Sequence, residues 1–510
     1  MNSEEKQNSI NDPASTSLEK EIHGATRSVL WAQLASQFLS FASLAFLYRW
    51  IDPQQFGLLG MIMPIVLLSR SIGTLGLNIA AVQHKELNPS QASTLFWLQL
   101  AFGAGFALLL AIISPLLAAA YASPELTIIG VSIAGTALLA NCLTQHQAMI
   151  ERKLQIGRLV KIRLVAQTLS ATVAVTMAYY EFGIWALVTQ QYVELIVLNI
   201  GLWRAEPWRP GFPQFDKSIK PMLKFGGYYT LSGLLFALAQ NLDKILLAYW
   251  LGGSATGQQL LGFYTQAFSQ MMKPVYLMTT PITGAMLPAL SKAQASTEQF
   301  AKITINYYRI VAVALAPCTV GLFLVAQDLM QVLGGNKWEQ SGLILSILAL
   351  TILLQGLVNI CGSLLSSVGK TGMLAMGAFA FLLVMLQSCF GAYWLASDMP
   401  NQEENLVKFV AWAFALSTGI VAVPYLIFCF TIARIPATEL YRLVRSPLLF
   451  SSVMGVCVYF TGQAINSFDG LPVSIHLLIK VAVGVTIYGI LARVEIKWLM
   501  THFRSYQESN

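Results

Sequence analysis

LYRWIDPQQFGLLGM (residues 47–61) runs from the end of one apolar segment through a Trp and a turn into the next, and LAYWLGGSATGQQLLGFYT (residues 247–265) answers it. Both re-enter at Leu-Leu-Gly, so Leu58, Leu59 and Gly60 align with Leu260, Leu261 and Gly262. The interval between the copies holds about six apolar segments, and an even number keeps both copies in one orientation, so the duplication is parallel. Working outward, apolar stretches of about twenty residues recur from Val29 to Ala492, each long enough to cross a hydrocarbon core of about 30 Å as a helix. Their number is about fourteen.

Composition agrees with a chain dissolved in lipid. Of 510 residues, 56% are hydrophobic and 11% charged, with a mean hydropathy of +0.62, outside the usage of soluble domains. Runs such as LLGMIMPIVLL and FALLLAIISPLLAAA do not alternate, which excludes a transmembrane barrel. The expected fold is an all-α polytopic membrane protein of about 14 transmembrane helices, two pseudo-symmetric lobes of about six helices and a C-terminal helix pair. The expected boundaries are a cytoplasmic tail over 1–25, an N-lobe over 26–203, a linker over 204–224, a C-lobe over 225–429, and a basic loop, the last two spans and a tail over 430–510. The N-terminal stretch is polar and of mixed charge, without the basic and apolar regions of a signal peptide.

Orientation follows from the basic residues. Loops after even-numbered spans hold Lys85, then Arg152, Lys153, Arg158, Lys161 and Arg163, then Arg204, Arg209, Lys217, Lys220 and Lys224. Lys292, Lys302, Lys370, Arg434, Arg442, Arg445, Arg493, Lys497 and Arg504 continue the pattern, against only Arg49, Lys337, Lys408 and Lys480 in the opposite loops. The positive-inside rule therefore puts both termini in the cytoplasm. The net charge of +7 is explained by this topology rather than by nucleic acid.

A Lys or Arg at a helix centre costs about 2.5–3.5 kcal/mol on insertion scales, so such residues face a cavity and mark a path. Arg70, Lys244 and Lys273 meet this condition, together with Asp243. Arg70 and Lys273 stand at nearly equal distances past their Leu-Leu-Gly, so each lobe is expected to present a cation at a similar depth. Pairing with intramembrane acids is the structural alternative. Asp243 and Lys244 are expected not to pair with each other, because adjacent helical residues diverge. Arg309 lies near a span end, where it can reach the interface.

Amides and phenols accompany the cations: Gln37 on the first span, Tyr228, Gln240 and Asn241 on the seventh, and Gln270 on the eighth. Amides offer paired donors and acceptors and aromatic faces stack, which suits a hydroxylated ligand, although singly such residues also serve as helix-helix contacts. Arg70, Lys273, Lys244, Gln37, Tyr228, Gln240, Asn241 and Gln270 are the candidate substrate-binding residues. Asp243 and Glu194 are the acids available for ion coupling. Pro64, Pro274, Pro281, Pro288 and Pro317 are expected to break or kink their spans.

Enzyme motifs are missing. Gly369-Lys370-Thr371 lacks the upstream Gly of a P-loop, since that position is Leu364. The five histidines and six cysteines have no metal-ligand or redox spacing, and no nucleophile elbow or catalytic dyad is readable. No catalytic residue, metal or cofactor is expected.

GATRSVLWAQL, LYRWIDPQQFGLLGM, NLDKILLAYWLG, LGFYTQAF, PALSKAQ and LGGNKWEQSGLILSILAL together resemble the polysaccharide transporter family. These are the Wzx-type flippases of the multidrug/oligosaccharidyl-lipid/polysaccharide superfamily, with colanic-acid and exopolysaccharide exporters the nearest in flavour. The resemblance covers about residues 20–495. It implies a V-shaped two-lobed transporter, not an enzyme, that flips undecaprenyl-pyrophosphate-linked oligosaccharide across the inner membrane by alternating access through a cationic central cavity. Membrane lipids, the polysaccharide polymerase and the chain-length machinery are the partners it implies. Relatives grip the pyrophosphate with arginines on the second and eighth spans, where Arg70 and Lys273 fall; Lys keeps the charge but loses the bidentate fork. A multidrug cation antiporter of the same superfamily is the alternative, and the absence of an acid on the first span speaks against it.

Overall fold

A computed structural model of the chain describes residues 35–74, 88–153, 155–214, 233–370, 372–467, 471–495 and 497. Among these it is helical with no strand. The helices are α1 (Ala35–Trp50), α2 (Pro53–Thr74), α3 (Pro89–Ala120), α4 (Glu125–Arg152), α5 (Ile156–Tyr179) and α6 (Ile184–Ala205). They continue as α7 (Gly233–Ala239), α8 (Leu242–Leu251), α9 (Ala255–Lys292), α10 (Thr297–Gly334), α11 (Glu339–Ala349) and α12 (Ile352–Ser367). The last four are α13 (Gly372–Ser397), α14 (Gln402–Ile432), α15 (Ala437–Asn466) and α16 (Val473–Leu491). Nine of the described helices are long and apolar enough to cross a membrane, or up to twelve if each bent pair counts as one span. Large apolar side chains point outward along them: Leu478 and Val485 on α16 are 67% and 69% exposed, which only a lipid solvent tolerates on this scale.

The chain divides into two compact units. The first comprises Met1–Ile51, Ile65–Leu117 and Glu125–Thr230, the second Asp52–Pro64, Ala118–Pro124 and Leu231–Asn510.

In the first unit α4 and α6 share a core of Leu143, Ile150, Leu195 and Leu202, with Leu159 of α5 packed in. Lipid is as apolar as these side chains, so close packing and interhelical hydrogen bonds hold such helices together. Asn199 on α6 supplies one, its Nδ2 donating to the Leu139 carbonyl at 2.9 Å. A Cβ on Gly103 of α3 would stand 2.7 Å from the Asn141 side chain, so α3 and α4 come close there. After Ala205 the prolines of EPWRPGFPQ (206–214) prevent further helix, and the chain becomes an extended strap. Five hydrogen bonds tie the strap to the start of α3. Ser90 Oγ donates to Gln214 Oε1 at 2.8 Å, Trp97 Nε1 to the Gly211 carbonyl at 2.8 Å, and the Gly211 amide to Ser93 Oγ at 3.0 Å. Thr94 Oγ1 both donates to and accepts from the Gln214 backbone.

In the second unit the first half of α2 crosses α9 backbone to backbone. A Cβ on Gly57 would fall 1.8 Å from the Gln258 carbonyl oxygen, and one on Gly262 would fall 2.0 Å from that of Pro53. The crossing is reciprocal, Gly57 lying against α9 and Gly262 against α2, while Gly60 faces the Thr265 side chain. Only glycine allows this approach. Gln54 Nε2 donates to Gln258 Oε1 at 2.8 Å beside it, and Phe56 and Phe263 both meet the fully buried Trp338 edge-on.

None of the prolines named above interrupts its helix. α9 runs as one helix through Pro274, Pro281 and Pro288, and α2 and α10 continue through Pro64 and Pro317. Two of the three bent helix pairs have no proline at the break, 47° between α7 and α8 and 56° between α11 and α12. Polar side chains take up the backbone groups freed at such breaks, as the next section shows for the first of them. The last helix pair is fastened to α10 by charge. Arg309 donates from Nε to Glu495 at 2.8 Å, and Lys480 pairs with Asp328 at 2.6 Å. The Tyr488 hydroxyl adds a bond to the Val313 carbonyl at 2.7 Å.

Candidate functional site

The α7–α8 bend falls at Gln240-Asn241 and leaves helical carbonyls without their usual partners. Asn241 Nδ2 takes the Ala237 carbonyl at 2.8 Å, and Lys244 folds back so that its Nζ donates to the Gln240 carbonyl at 2.9 Å. The same ammonium lies 3.2 and 3.3 Å from the two carboxylate oxygens of Asp243. Asp243 and Lys244 are therefore partners, contrary to the expectation from helix geometry. The reason is the bend: Asp243 is in the first turn of α8, so the long Lys244 stem reaches past it toward the open helix end. Asp243 also accepts from the Tyr264 hydroxyl of α9 at 2.6 Å, and Lys244 Nζ stands 3.3 Å from the centre of the Phe268 ring. Both charges are buried, at 1% and 6% exposure. A buried pair survives only with such a full complement of hydrogen bonds.

A line of amides joins the two bent spans. Gln240 Nε2 donates to Gln355 Oε1 of α12 at 3.3 Å, and Gln355 Nε2 reaches Thr418 Oγ1 of α14 at 3.5 Å. Gln240 Oε1 is buried without a partner. The structure thus gathers Gln240, Asn241, Asp243 and Lys244 into one cluster with Tyr264. Gln270 is buried farther along α9, and Lys273 is half-buried one turn beyond it. Gln37 is half-buried on α1, and Glu194 is exposed on α6. Arg70 sits on α2 with its side chain outside the described residues, and Tyr228 lies outside them altogether.

Sequence reasoning missed Gln355, Thr418 and Phe268. Gln355 had a signal, one of two amides in the apolar run ILLQGLVNICG; Thr418 and Phe268 look like ordinary core residues. A separate open cleft of about 570 Å³ is lined by polar residues at the starts of α9, α11 and α14, among them Gln259, Lys337, Gln340, Asn401 and Glu403. Among the described residues no cluster of His, Cys, Asp and Glu is arranged to hold a metal ion.

Comparison with known proteins adds three kinds of likeness. The sequence model of the family described as "Polysaccharide biosynthesis protein" matches residues 46–343. The teichuronic acid biosynthesis protein TuaB of Bacillus subtilis is 26% identical over 419 residues, covering 81% of this chain and 83% of that protein. The lipopolysaccharide biosynthesis protein WzxC of Escherichia coli is 26% identical over 68% of this chain and 70% of its own. The succinoglycan biosynthesis transport protein ExoT of Rhizobium meliloti is 23% identical over 91% and 92%. Among solved structures, the lipid II flippase MurJ in an inward closed conformation superposes with a TM-score of 0.71 at 13% identity, over 92% of this chain and 99% of that one. An inward-facing multidrug resistance MATE family transporter of the MOP superfamily gives 0.61 at 12%, over 78% and 94%. At these identities the structural likeness is one of fold.

Proposed function

We propose, starting from the fact that this chain belongs to the polysaccharide biosynthesis protein family, that it is a flippase for polyprenyl-diphosphate-linked oligosaccharide repeat units. The observation that carries this reading is the family match over residues 46–343, supported by relatives named for teichuronic acid, lipopolysaccharide and succinoglycan biosynthesis. The work is transport, not catalysis, and the site is a multi-pass assembly in the cytoplasmic membrane with both termini inside. The fourteen spans of this reading require α1, α2 and α9 each to cross the membrane, beyond the nine to twelve candidate spans among the described helices.

In this reading Arg70 and Lys273 serve the diphosphate, whose charge needs a cation wherever water is excluded. Gln37, Tyr228 and Gln270 serve the sugars through their hydrogen-bonding groups. The cluster at the α7–α8 bend has a different part. Lys244 is already engaged by Asp243 and by the Gln240 carbonyl, so it holds the bent span in shape, and Gln240 is the member that offers a spare acceptor. A drug-cation antiporter would need an available carboxylate, and that of Asp243 is taken by Lys244 and Tyr264.

The test is cellular. In a strain lacking the chromosomal copy, Arg70→Ala and Lys273→Ala, at wild-type protein levels, abolish surface polysaccharide. Normal polymer from both variants would remove these residues from the site.

A further inference from the structure

At the loop end of the first unit's helices lies a polar group that the proposed transport path does not use. Gln99 of α3 and Gln145 and His146 of α4 are each completely buried, with 0% exposure. Both polar atoms of each amide and both ring nitrogens of the imidazole have no hydrogen-bond partner. The Trp208 and Cys142 backbones come near the imidazole without closing a bond of normal geometry.

The three side chains share one level. Phe96 meets His146 with ring centres 6.2 Å apart, and Gly103 meets Asn141. Gln99 lies on the same face of α3 as Phe96 and Gly103, three and four residues from them, and Gln145 is one turn from Asn141 on α4. Gln99 on α3 and Gln145 on α4 therefore both fall between these two contacts. Aromatic rings wall the group: Trp203 of α6 stacks on His146 at 4.3 Å, and Trp208 of the strap meets it edge-on at 5.2 Å.

Among the described residues, the charges of the strap are engaged elsewhere. Glu206 of the strap binds Lys153 of α4 through both carboxylate oxygens, at 2.7 and 2.8 Å, and Arg209 lies over the Trp203 ring while donating to the Glu206 and Trp208 carbonyls. α3 contributes no ionisable residue at this level, and Glu151, Arg152 and Arg204 lie at the outer ends of their helices. Buried amides and an imidazole with no protein partner, beside a strap whose Glu206 and Arg209 are engaged elsewhere, suit a small neutral ligand that both donates and accepts.

We infer that Gln99, Gln145 and His146 bind an internal cluster of water, and that the strap 206–214, pinned to α3 by Thr94, Ser93 and Trp97, is its lid. Six polar atoms supply partners for about two to three water molecules. Buried polar groups left wholly unmet are rare because each costs a sizeable part of a protein's stability.

The full-length protein in nanodiscs is given a millisecond burst of hydroxyl radicals by synchrotron radiolysis, and oxidised side chains are read by mass spectrometry. Bound water generates the radical in place, so His146 and Phe96 are labelled despite their burial, while Trp338, buried among aromatic rings, stays silent. After rapid mixing into heavy-oxygen water, the label at His146 exchanges more slowly than at exposed residues. Labelling is lost in Gln99→Leu/Gln145→Leu. Thr94→Val/Trp97→Phe removes three of the five strap bonds and speeds the exchange by about tenfold or more, since even one net hydrogen bond is worth roughly that factor in an opening equilibrium. If His146 and Phe96 are as silent as Trp338 in the wild type, the site is dry and the inference fails. An organic molecule retained in native mass spectrometry and absent from Gln99→Leu/Gln145→Leu overturns water as the occupant. An exchange rate unchanged in the strap variant overturns the lid.

Discussion

Two groups of polar side chains are buried to the same degree and treated in opposite ways. Around the α7–α8 bend Asp243 and Lys244 have each other, Tyr264, the Gln240 carbonyl and the Phe268 ring. Gln99, Gln145 and His146 have aromatic walls and no protein partner. The first group is closed chemistry: its bonds are used up in holding a bent span. The second is open chemistry, with unused donors and acceptors sealed from solvent. Burial alone thus does not mark a site; unspent hydrogen-bonding capacity does.

The sharpest way to break the contrast is to remove one charge from the closed group. Lys244→Met leaves Asp243 buried without its cation and is expected to cost about 3–5 kcal/mol, read as a lowered midpoint in thermal unfolding of the purified protein. Asp243→Asn added to Lys244→Met recovers most of that loss, because the orphaned charge is gone. Equal destabilisation by the single and double variants would show that the pair is not a unit. Tyr264→Phe removes one bond to a carboxylate and is expected to cost about 1.5–3 kcal/mol by the same measurement.

In the open group the expectation reverses. Gln99→Leu breaks no bond within the protein, so the loss stays at roughly 1 kcal/mol or below, the scale of a water-mediated contact. A loss as large as that of Lys244→Met would mean that Gln99 is held by protein after all. The smallest effect belongs to an exposed control. Lys408 and Glu404 pair at 2.6 Å one turn apart on α14, each about one-third exposed, and Lys408→Ala is expected to cost about 0.3–0.5 kcal/mol, less in high salt.

The fold was legible because hydropathy, charge asymmetry and the repeated Leu-Leu-Gly corner all speak to topology, which lipid enforces strictly. Details that depend on local geometry were not. Proline predicts a break from what it removes, yet α9 carries three prolines as one helix, while two of the three bends fall at Gln240-Asn241 and Leu350-Thr351, where side chains can replace lost backbone bonds. The rule that neighbours on a helix diverge failed for Asp243 and Lys244 because it holds inside helices and these two stand at an end. The glycine crossing of α2 and α9 was not legible either, since a sequence does not say which glycine meets backbone. Of the candidate site, the α7–α8 residues were legible as a group. Gln355 and Thr418 were not, because only the packing of α12 and α14 brings them there. His146 was set aside for want of metal spacing, a test that is blind to a histidine whose neighbours are two glutamines from different helices.

The most direct test of the flippase reading uses purified protein in liposomes holding a fluorescent polyprenyl-diphosphate oligosaccharide, with a membrane-impermeant quencher reporting the leaflet. The wild type moves the lipid between leaflets without changing its mass, and Arg70→Ala and Lys273→Ala do not. Retention of the labelled lipid in its starting leaflet by active, folded wild-type protein, or transport undiminished in both variants, contradicts the account.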